Sequence, residues 1–213
     1  MEREEALVKL QALVGSDLLK LAAEHKIDVH VDVTFRGQSV RRVSKGWAGH
    51  TVESLLGLPR NSAREPNFGS WELKVVPVRK RRDGTLCAKE TMAIAMINSA
   101  EVEASSFEQS HLYAKLRRMI VVARTFVDKK ESAALVYSVG SFDLTDPQIY
   151  RQVKADYDSV RQTIKTRGFQ ALSGKMGILV QPRTKGTGYG SKTRAFYART
   201  GFVEHMLGIK SCK

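Results

Sequence analysis

Two strand-like segments, residues 71–78 and 85–98, place the tightest constraint on what this chain can fold into. Both are rich in apolar residues, and the basic segment 79–84 joins them and ends in the turn signal Asp83-Gly84. This pattern predicts a long β-hairpin. Further strand-like segments lie at 27–35, which also suits an extended arm, and at 119–126, 133–139 and 176–182.

Segments with helical periodicity separate these strands. Residues 4–24 contain Gly15-Ser16-Asp17, a C-cap signal followed by an N-cap signal, so we expect two short helices there. Ser44 is placed to cap a third helix that ends at Gly57. Other helices are predicted at 108–118, 147–168 and 202–207. Strands interleaved with helices predict a mixed α/β, or α+β, fold with no interdomain linker.

The charge balance indicates a polyanionic partner. The 213 residues include 35 Lys and Arg against 22 Asp and Glu, which gives a formal net charge of +13. Basic surfaces bind phosphates partly because each neutralised phosphate releases condensed counterions. Nucleic acid, a ribosomal or nucleoid assembly and an anionic membrane surface would all satisfy this charge, so charge alone does not choose among them.

The remaining composition indicates a globular protein of a reducing compartment. Hydrophobic residues make up 42% of the chain, and no apolar run reaches the ~18 residues of a membrane span. The acidic, amphipathic segment 1–10 lacks the features of a signal peptide. The cysteines, Cys87 and Cys212, have no metal-ligand spacing. We therefore expect a cytoplasmic protein.

The pattern Glu72-Leu73-Lys74 in the first hairpin strand carries the clearest chemistry. Residues two apart on a strand point from the same face, so the carboxylate and the ammonium lie side by side. A metal-dependent phosphodiesterase needs this pair, because the carboxylate holds Mg²⁺ and the lysine orients water and offsets transition-state charge. Glu-x-Lys is also common on solvated strand faces, so the pattern needs further support.

That support comes from five sequence blocks that occur in one order. KGWAGHTVESLLG and EPNFGSWELKVVPV resemble segments of the MutH mismatch-repair endonucleases. AKETMAIAMIN, SHLYAKLRR and GTGYGSKTRAFYART are similar to segments of the GATC-cutting restriction enzymes related to DpnII. The blocks span most of residues 45–205, while 1–44 and 125–175 are interpreted from their patterns alone.

The resemblance implies a restriction-endonuclease-like core, in which helices flank a central mixed sheet and two sub-lobes form a cleft for duplex DNA. It implies one nuclease domain over residues 1–213, a monomer or a DNA-induced dimer. Mg²⁺, with Mn²⁺ as a substitute, would support hydrolysis to 5′-phosphate and 3′-hydroxyl ends. Glu53 and Glu72 would bind the metal, Lys74 would be the catalytic lysine, and Lys115 would lie near the scissile phosphate.

Asn67 departs from the family pattern, which has an aspartate before the phenylalanine. An amide supplies a neutral oxygen, so a Mg²⁺ site formed by Glu53, Asn67 and Glu72 lacks one anionic ligand. Three explanations are open: an inactivating engineered substitution, a naturally impaired or regulatory domain, and an atypical site with another ligand. We favour the first because the surrounding blocks are intact. The spacer from Asn67 to Glu72 is also shorter than in MutH.

The resemblance also implies residues that read the DNA sequence. Glu90 matches a position near the adenine amino group, and Arg183 and Lys185 lie in the segment that reaches the major groove, where Arg binds guanine in bidentate fashion. Gln181 stands where MutH has an arginine, which leaves the recognised sequence open. The predicted DNA contacts are Glu90, Gln181, Arg183, Lys185, Tyr189 and Arg194.

The basic turn residues and two tyrosines each have two interpretations, and three histidines are given no metal role. The cations of segment 79–82 suit either a solvated hairpin tip or phosphate contacts. Tyr189 and Tyr197 suit either DNA contacts or core packing. No metal role is assigned to the histidines His50, His111 and His205.

Three functional hypotheses follow. The first is a Mg²⁺-dependent, sequence-specific endonuclease, and the second is a non-catalytic DNA-binding or effector module of the same fold. Asn67 favours the second hypothesis, whereas the intact Glu72 and Lys74 favour the first. The third, a basic structural protein, accounts for the charge but not for the ordered blocks.

Overall fold

The computed structural model describes residues 1–35, 37–57, 66–67, 69–125, 133–186 and 193–209. The helices are α1 (Arg3–Gln11), α2 (Leu18–Glu24), α3 (Trp47–Leu55), α4 (Ser99–Ala104), α5 (His111–Leu116), α6 (Pro147–Arg167) and α7 (Thr200–Met206). The strands are β1 (His30–Phe35), β2 (Gln38–Val43), β3 (Glu72–Lys80), β4 (Leu86–Ala88), β5 (Met92–Ile97), β6 (Arg118–Thr125), β7 (Val136–Asp143), β8 (Val180–Thr184) and β9 (Arg194–Ala198). Within these ranges no helix is long and apolar enough to span a membrane.

A mixed four-stranded sheet with the order β4-β3-β6-β7 lies at the centre. Strands β3 and β6 are parallel, with Glu72 opposite Met119, and the outer pairs are antiparallel. Residues 119–124 of β6 are all buried. Five of these in succession, residues 119–123, are apolar, and such a run is typical of a strand in a sheet that is covered on both faces.

Alternate residues of β6 contribute to two hydrophobic cores. Met119, Val121 and Ala123 belong to a core with residues of α5, α6 and α7. Ile120 and Val122 point from the other face into a core with residues of α1, α2 and α3. Helices therefore flank both faces of the mixed sheet, which confirms the predicted mixed α/β fold with a central mixed sheet.

Two smaller sheets complete the described part of the chain. Strands β5, β9 and β8 form an antiparallel sheet in that order, and β1 pairs with β2 as a two-stranded ribbon. Phe196 of β9 and Val180 of β8 are buried in the same core as α6. The three-stranded sheet thus packs beside the central sheet across this core.

The predicted long hairpin is only partly correct. Strands β3 and β4 pair as expected, but β4 ends at Ala88, and β5 pairs with β9 in the other sheet. The Ala88 N–H donates to the buried carboxylate of Glu204, 3.0 Å away, instead of to a strand partner. This contact from α7 marks the point where the chain leaves the central sheet.

Several other boundaries differ from the predictions. Strands β2 and β9 and helix α4 were not predicted, and the strand predicted at 176–182 begins at Val180. Ser44 does not cap α3, whose N-cap is Gly46 without a side-chain hydrogen bond. The predicted helices in segment 4–24 are confirmed, with Asp17 accepting a hydrogen bond from the Leu19 N–H.

Buried Asp156 of α6 fixes the segment that leads into β8. Its carboxylate accepts the backbone N–H groups of Ile178, Leu179 and Val180 at 2.9, 2.7 and 2.8 Å. The turn before these donors contains Gly177 at φ 73°, where an added Cβ would collide with the Val180 carbonyl oxygen. The strand that carries Arg183 is therefore anchored to the long helix.

Candidate active site

The buried carboxylate of Glu72 lies at the start of β3, where this strand and β6 run in parallel. Its Oε1 accepts hydrogen bonds from Lys74 Nζ at 2.5 Å and from Lys115 Nζ at 3.3 Å. Its Oε2 accepts the backbone N–H of Asn67 at 3.0 Å. A fully buried carboxylate needs such donors, because burial removes its hydration.

The half-buried Glu53 comes to the same place from the last turn of α3. Its Oε1 accepts a hydrogen bond from the Asn67 side-chain Nδ2 at 2.8 Å. Since the backbone N–H of Asn67 binds Glu72, this one residue links the two carboxylates. The structure therefore brings together Glu53, Asn67 and Glu72, as the sequence resemblance implies.

The two lysines approach Glu72 from different elements. Lys74 follows it by two positions on β3, and Lys115 lies in the last turn of α5. Their side chains are 24% and 12% exposed, so both ammonium groups reach the edge of solvent. Both also line an open cavity of about 570 Å³ together with β5 and Lys185.

The electrostatics of this site oppose ionisation of Glu53. Burial raises the pKa of the Glu53 carboxyl, and the neighbouring charge of Glu72 raises it further, while Lys74 partly offsets the rise. At the cavity, partial desolvation lowers the pKa of the Lys185 ammonium, and the positive charges of Lys74 and Lys115 lower it further. The protonation of Glu53 and that of Lys185 therefore each depend on the charges of neighbouring groups in the site.

The donor set suits a hard divalent cation. Glu53 and Glu72 supply carboxylate oxygens, and a rotation of the Asn67 amide would turn its Oδ1 toward the same position. In the described part of the chain, no group of three His, Cys, Asp or Glu residues is arranged to hold a metal. Among the described residues, Glu53 and Glu72 therefore have no third carboxylate in such an arrangement with them. Asn67 lies beside both glutamates.

The predicted readout residues lie mainly on β8, on β9 and before β5. Exposed Arg183 donates to Thr91 Oγ1 at 2.7 Å, and its guanidinium lies 5.7 Å from the Tyr197 ring centroid. Glu90 is exposed, and its charge contributes to the raised pKa of Tyr197, for which burial is the larger cause. These residues form a polar cluster at the start of β5.

Other predicted residues are placed differently. Gln181 is 5% exposed, so its side chain is buried rather than directed to the surface. The Arg194 guanidinium lies 5.8 Å from the Phe169 ring centroid. Tyr189 lies outside the described residues. The cations 79–82 are exposed around the β3–β4 turn, which leaves both of their interpretations open.

Two features of the site could not be deduced from the sequence blocks. One is the double hydrogen bonding of Asn67, and the other is the position of Lys185 on the same cavity as Lys74 and Lys115. His111 also lines this cavity, with Nε2 3.7 Å from Glu101 Oε2. Two sequence signals pointed to His111: its place in the SHLYAKLRR block and its spacing of one helical turn from Lys115.

A mixed sheet flanked by helices, with a Glu-x-Lys pair at the start of its parallel strand, is the arrangement that the sequence resemblance implies for a restriction-endonuclease-like core. The family described as "DNA mismatch repair enzyme MutH" matches residues 56–156. Among individual proteins, the DNA mismatch repair protein MutH of Vibrio cholerae is 26% identical over 223 residues, covering 96% of this chain and 95% of its own length.

A second relative has a different role. The type II restriction enzyme Sau3AI of Staphylococcus aureus is 24% identical over 190 residues, which is 80% of this chain but only 38% of the enzyme. A solved complex of the restriction endonuclease MvaI with cognate DNA aligns over 93% of the chain at 12% identity, with a TM-score of 0.36. The sequence matches confirm the predicted resemblance: the chain is related to the MutH and Sau3AI endonucleases.

Proposed function

We propose that this protein is a divalent-metal-dependent, sequence-specific DNA endonuclease. The observation that carries the proposal is the convergence of Glu53, Asn67, Glu72, Lys74 and Lys115 at one edge of the central sheet. The relatedness to MutH and Sau3AI supports the same reaction class. We expect duplex DNA as the substrate, one nuclease domain, a cytoplasmic location, and a monomer or a DNA-induced dimer.

Each residue has a role in hydrolysis of a phosphodiester. Glu53, Glu72 and the Asn67 side-chain oxygen would hold Mg²⁺, for which Mn²⁺ could substitute. When bound, this cation would polarise a phosphate oxygen and make bound water more acidic. Lys74, held beside Glu72, orients the attacking water, and the Lys115 ammonium offsets the negative charge that develops on the phosphate. The products are 5′-phosphate and 3′-hydroxyl ends.

Asn67 favours a second candidate, a DNA-binding module that does not cleave. Its Nδ2 donates to Glu53 and its backbone N–H donates to Glu72, so hydrogen bonds satisfy both carboxylates without a cation. An aspartate at this position would put a third negative charge beside two others. A cation bound between them, or a proton on one of the acids, would offset this repulsion.

The two candidates make different predictions for Asn67→Asp. We expect the chain as given to bind DNA but to cleave plasmid slowly or not at all in Mg²⁺, whereas Asn67→Asp should nick or cut it. Adding Lys74→Ala to the Asn67→Asp variant should abolish the gained cleavage. The measurement is conversion of supercoiled plasmid to nicked and linear forms, with and without EDTA.

Gln162→Glu serves as the matched control. Gln162 is exposed on α6, so this substitution adds the same charge away from the site and should leave cleavage unchanged. Rapid Mg²⁺-dependent cleavage by the Asn67 form would show that another residue supplies the third ligand. An Asn67→Asp variant that binds DNA but stays inert on varied sequences would favour the non-catalytic module.

A further inference from the structure

Lys185 is the first residue after strand β8. Arg183, the exposed cation within β8, lies two residues before it. Its backbone N–H donates to the Thr193 carbonyl at 2.9 Å, which extends the β8–β9 pairing by one residue. This pairing directs the lysine to the cavity of about 570 Å³ that Lys74 and Lys115 also line. Three ammonium groups from three elements thus face one cavity.

The ammonium groups act on one another electrostatically. The pKa of Lys185 is lowered first by partial desolvation and then by the charges of Lys74 and Lys115. At ordinary ionic strength, salt largely screens the interaction between exposed charges more than about 10 Å apart. Lys74 and Lys115 can therefore lower the pKa of Lys185 only from nearby, as their positions on the same cavity allow. Among the described residues, the three ammonium groups outnumber the two carboxylates at this cavity, which are Glu101 and the Glu72 carboxylate that accepts hydrogen bonds from Lys74 and Lys115.

Arg183 lies in a different environment. Its guanidinium contacts Thr91 and lies against the Tyr197 ring, near Glu90, at the start of β5. The cavity of Lys185, in contrast, is lined by β5 from Ala93 to Ile97 and by Asn98, and Arg183 is not among its lining residues. The two cations of this segment therefore have different neighbours.

We infer that Lys185 binds the DNA backbone phosphate next to Lys74 and Lys115, and that it does not read a base in the major groove. This inference rests on the proposed function and revises the role that the sequence resemblance gave to Lys185. A phosphodiester group presents non-bridging anionic oxygens that several ammonium groups can share, and it offsets their mutual repulsion. Within this segment, Arg183 is then the residue that recognises a base.

Binding measured in EDTA separates a phosphate contact from a base contact. Duplexes containing GATC and duplexes of scrambled sequence are titrated by fluorescence anisotropy at several salt concentrations. Lys185→Ala should weaken binding to every duplex by the same factor and reduce the salt slope by about one, as loss of one phosphate contact does. Arg183→Ala should instead change the ratio between sequences by about tenfold or more, as loss of a bidentate base contact does.

Two further variants control for structural damage. Lys165→Ala removes an exposed lysine from α6 and should change neither the slope nor the ratio. Lys185→Arg keeps the positive charge and should restore the salt slope. A Lys185→Ala variant that loses sequence preference with an unchanged salt slope would overturn the inference but not the nuclease proposal. Salt-insensitive or absent binding by the unmodified chain would overturn both.

A measurement without DNA tests the lysine cluster itself. In protein labelled with ¹³C-lysine, NMR titration should give Lys185 a pKa below the ordinary lysine value, and Lys115→Met should raise it. If Lys115→Met left the Lys185 pKa unchanged, the two ammonium groups would not share a site, and the inference would fail even if the protein binds DNA.

Discussion

At the scale of single residues, Asn67 links the two carboxylates of the candidate site. An amide differs from a carboxylate by one N–H donor and one negative charge, and here that donor binds Glu53. Asn67 adds no charge between the two glutamates, and Lys74 and Lys115 lie beside Glu72. An aspartate at this position would add a negative charge, which a bound cation or a proton on one of the acids would offset.

Glu53 should make stability depend on pH. Burial raises its pKa in the folded protein, so the folded state holds this proton more tightly than the unfolded chain does. Its contribution to stability is present at low pH and is lost as the pH rises from the ordinary carboxyl range through the raised value. Glu53→Gln, which keeps an oxygen for Asn67, should remove this loss.

The measurement is urea unfolding of both proteins at a series of pH values without divalent cations. We expect the unfolding free energy of the unmodified chain to fall relative to that of Glu53→Gln across this window. A difference between the two proteins that stays constant with pH would contradict the raised pKa.

At the scale of elements, the connection between α6 and β8 depends on one carboxylate. Asp156 is 3% exposed and accepts three consecutive backbone N–H groups before and at the start of β8. The side chain thus satisfies three N–H groups at the point where β8 begins to pair with β9. The position of Arg183 and Lys185 therefore depends on a helix residue distant in sequence.

Asp156→Ala should destabilise the protein strongly. Each buried N–H left without an acceptor costs about 1–3 kcal/mol, so we expect a loss of at least about 3 kcal/mol in unfolding free energy. The matched control is Asp158→Ala on the same helix, which removes an exposed pair with Lys154 at 2.7 Å and should cost no more than about 1 kcal/mol. Urea denaturation measures both, and similar losses would contradict the anchoring role of Asp156.

At the scale of the whole molecule, the net charge of +13 should dominate association with DNA. We expect affinity for duplex DNA to fall steeply with salt, with a slope that corresponds to several phosphate contacts. Fluorescence anisotropy between about 50 and 200 mM salt measures the slope. Vesicles of phosphatidylserine provide the comparison, because they carry anionic charge without the shape of a duplex. Stronger binding to the vesicles than to DNA would favour a membrane surface as the partner.

The elements that the sequence predicted correctly are those that local signals specify. The α6 helix begins after Asp146 with Pro147 and ends at Gly168, as its cap residues indicate. Glu72 and Lys74 share a face of β3 because side chains alternate along any strand. Local residue order thus determined the central strands, the long helix and the Glu-x-Lys pair.

Tertiary structure decided the features that depend on residues far apart in the chain. The split of segment 85–98 between two sheets depends on Glu204 and on pairing with β9, neither of which leaves a local signal. Likewise, only the fold brings Asn67 between two glutamates and Lys185 to the cavity of Lys74. Periodicity and caps act over a few residues, whereas these contacts result from packing of whole elements, so the sequence determined the site's components and the fold determined their arrangement.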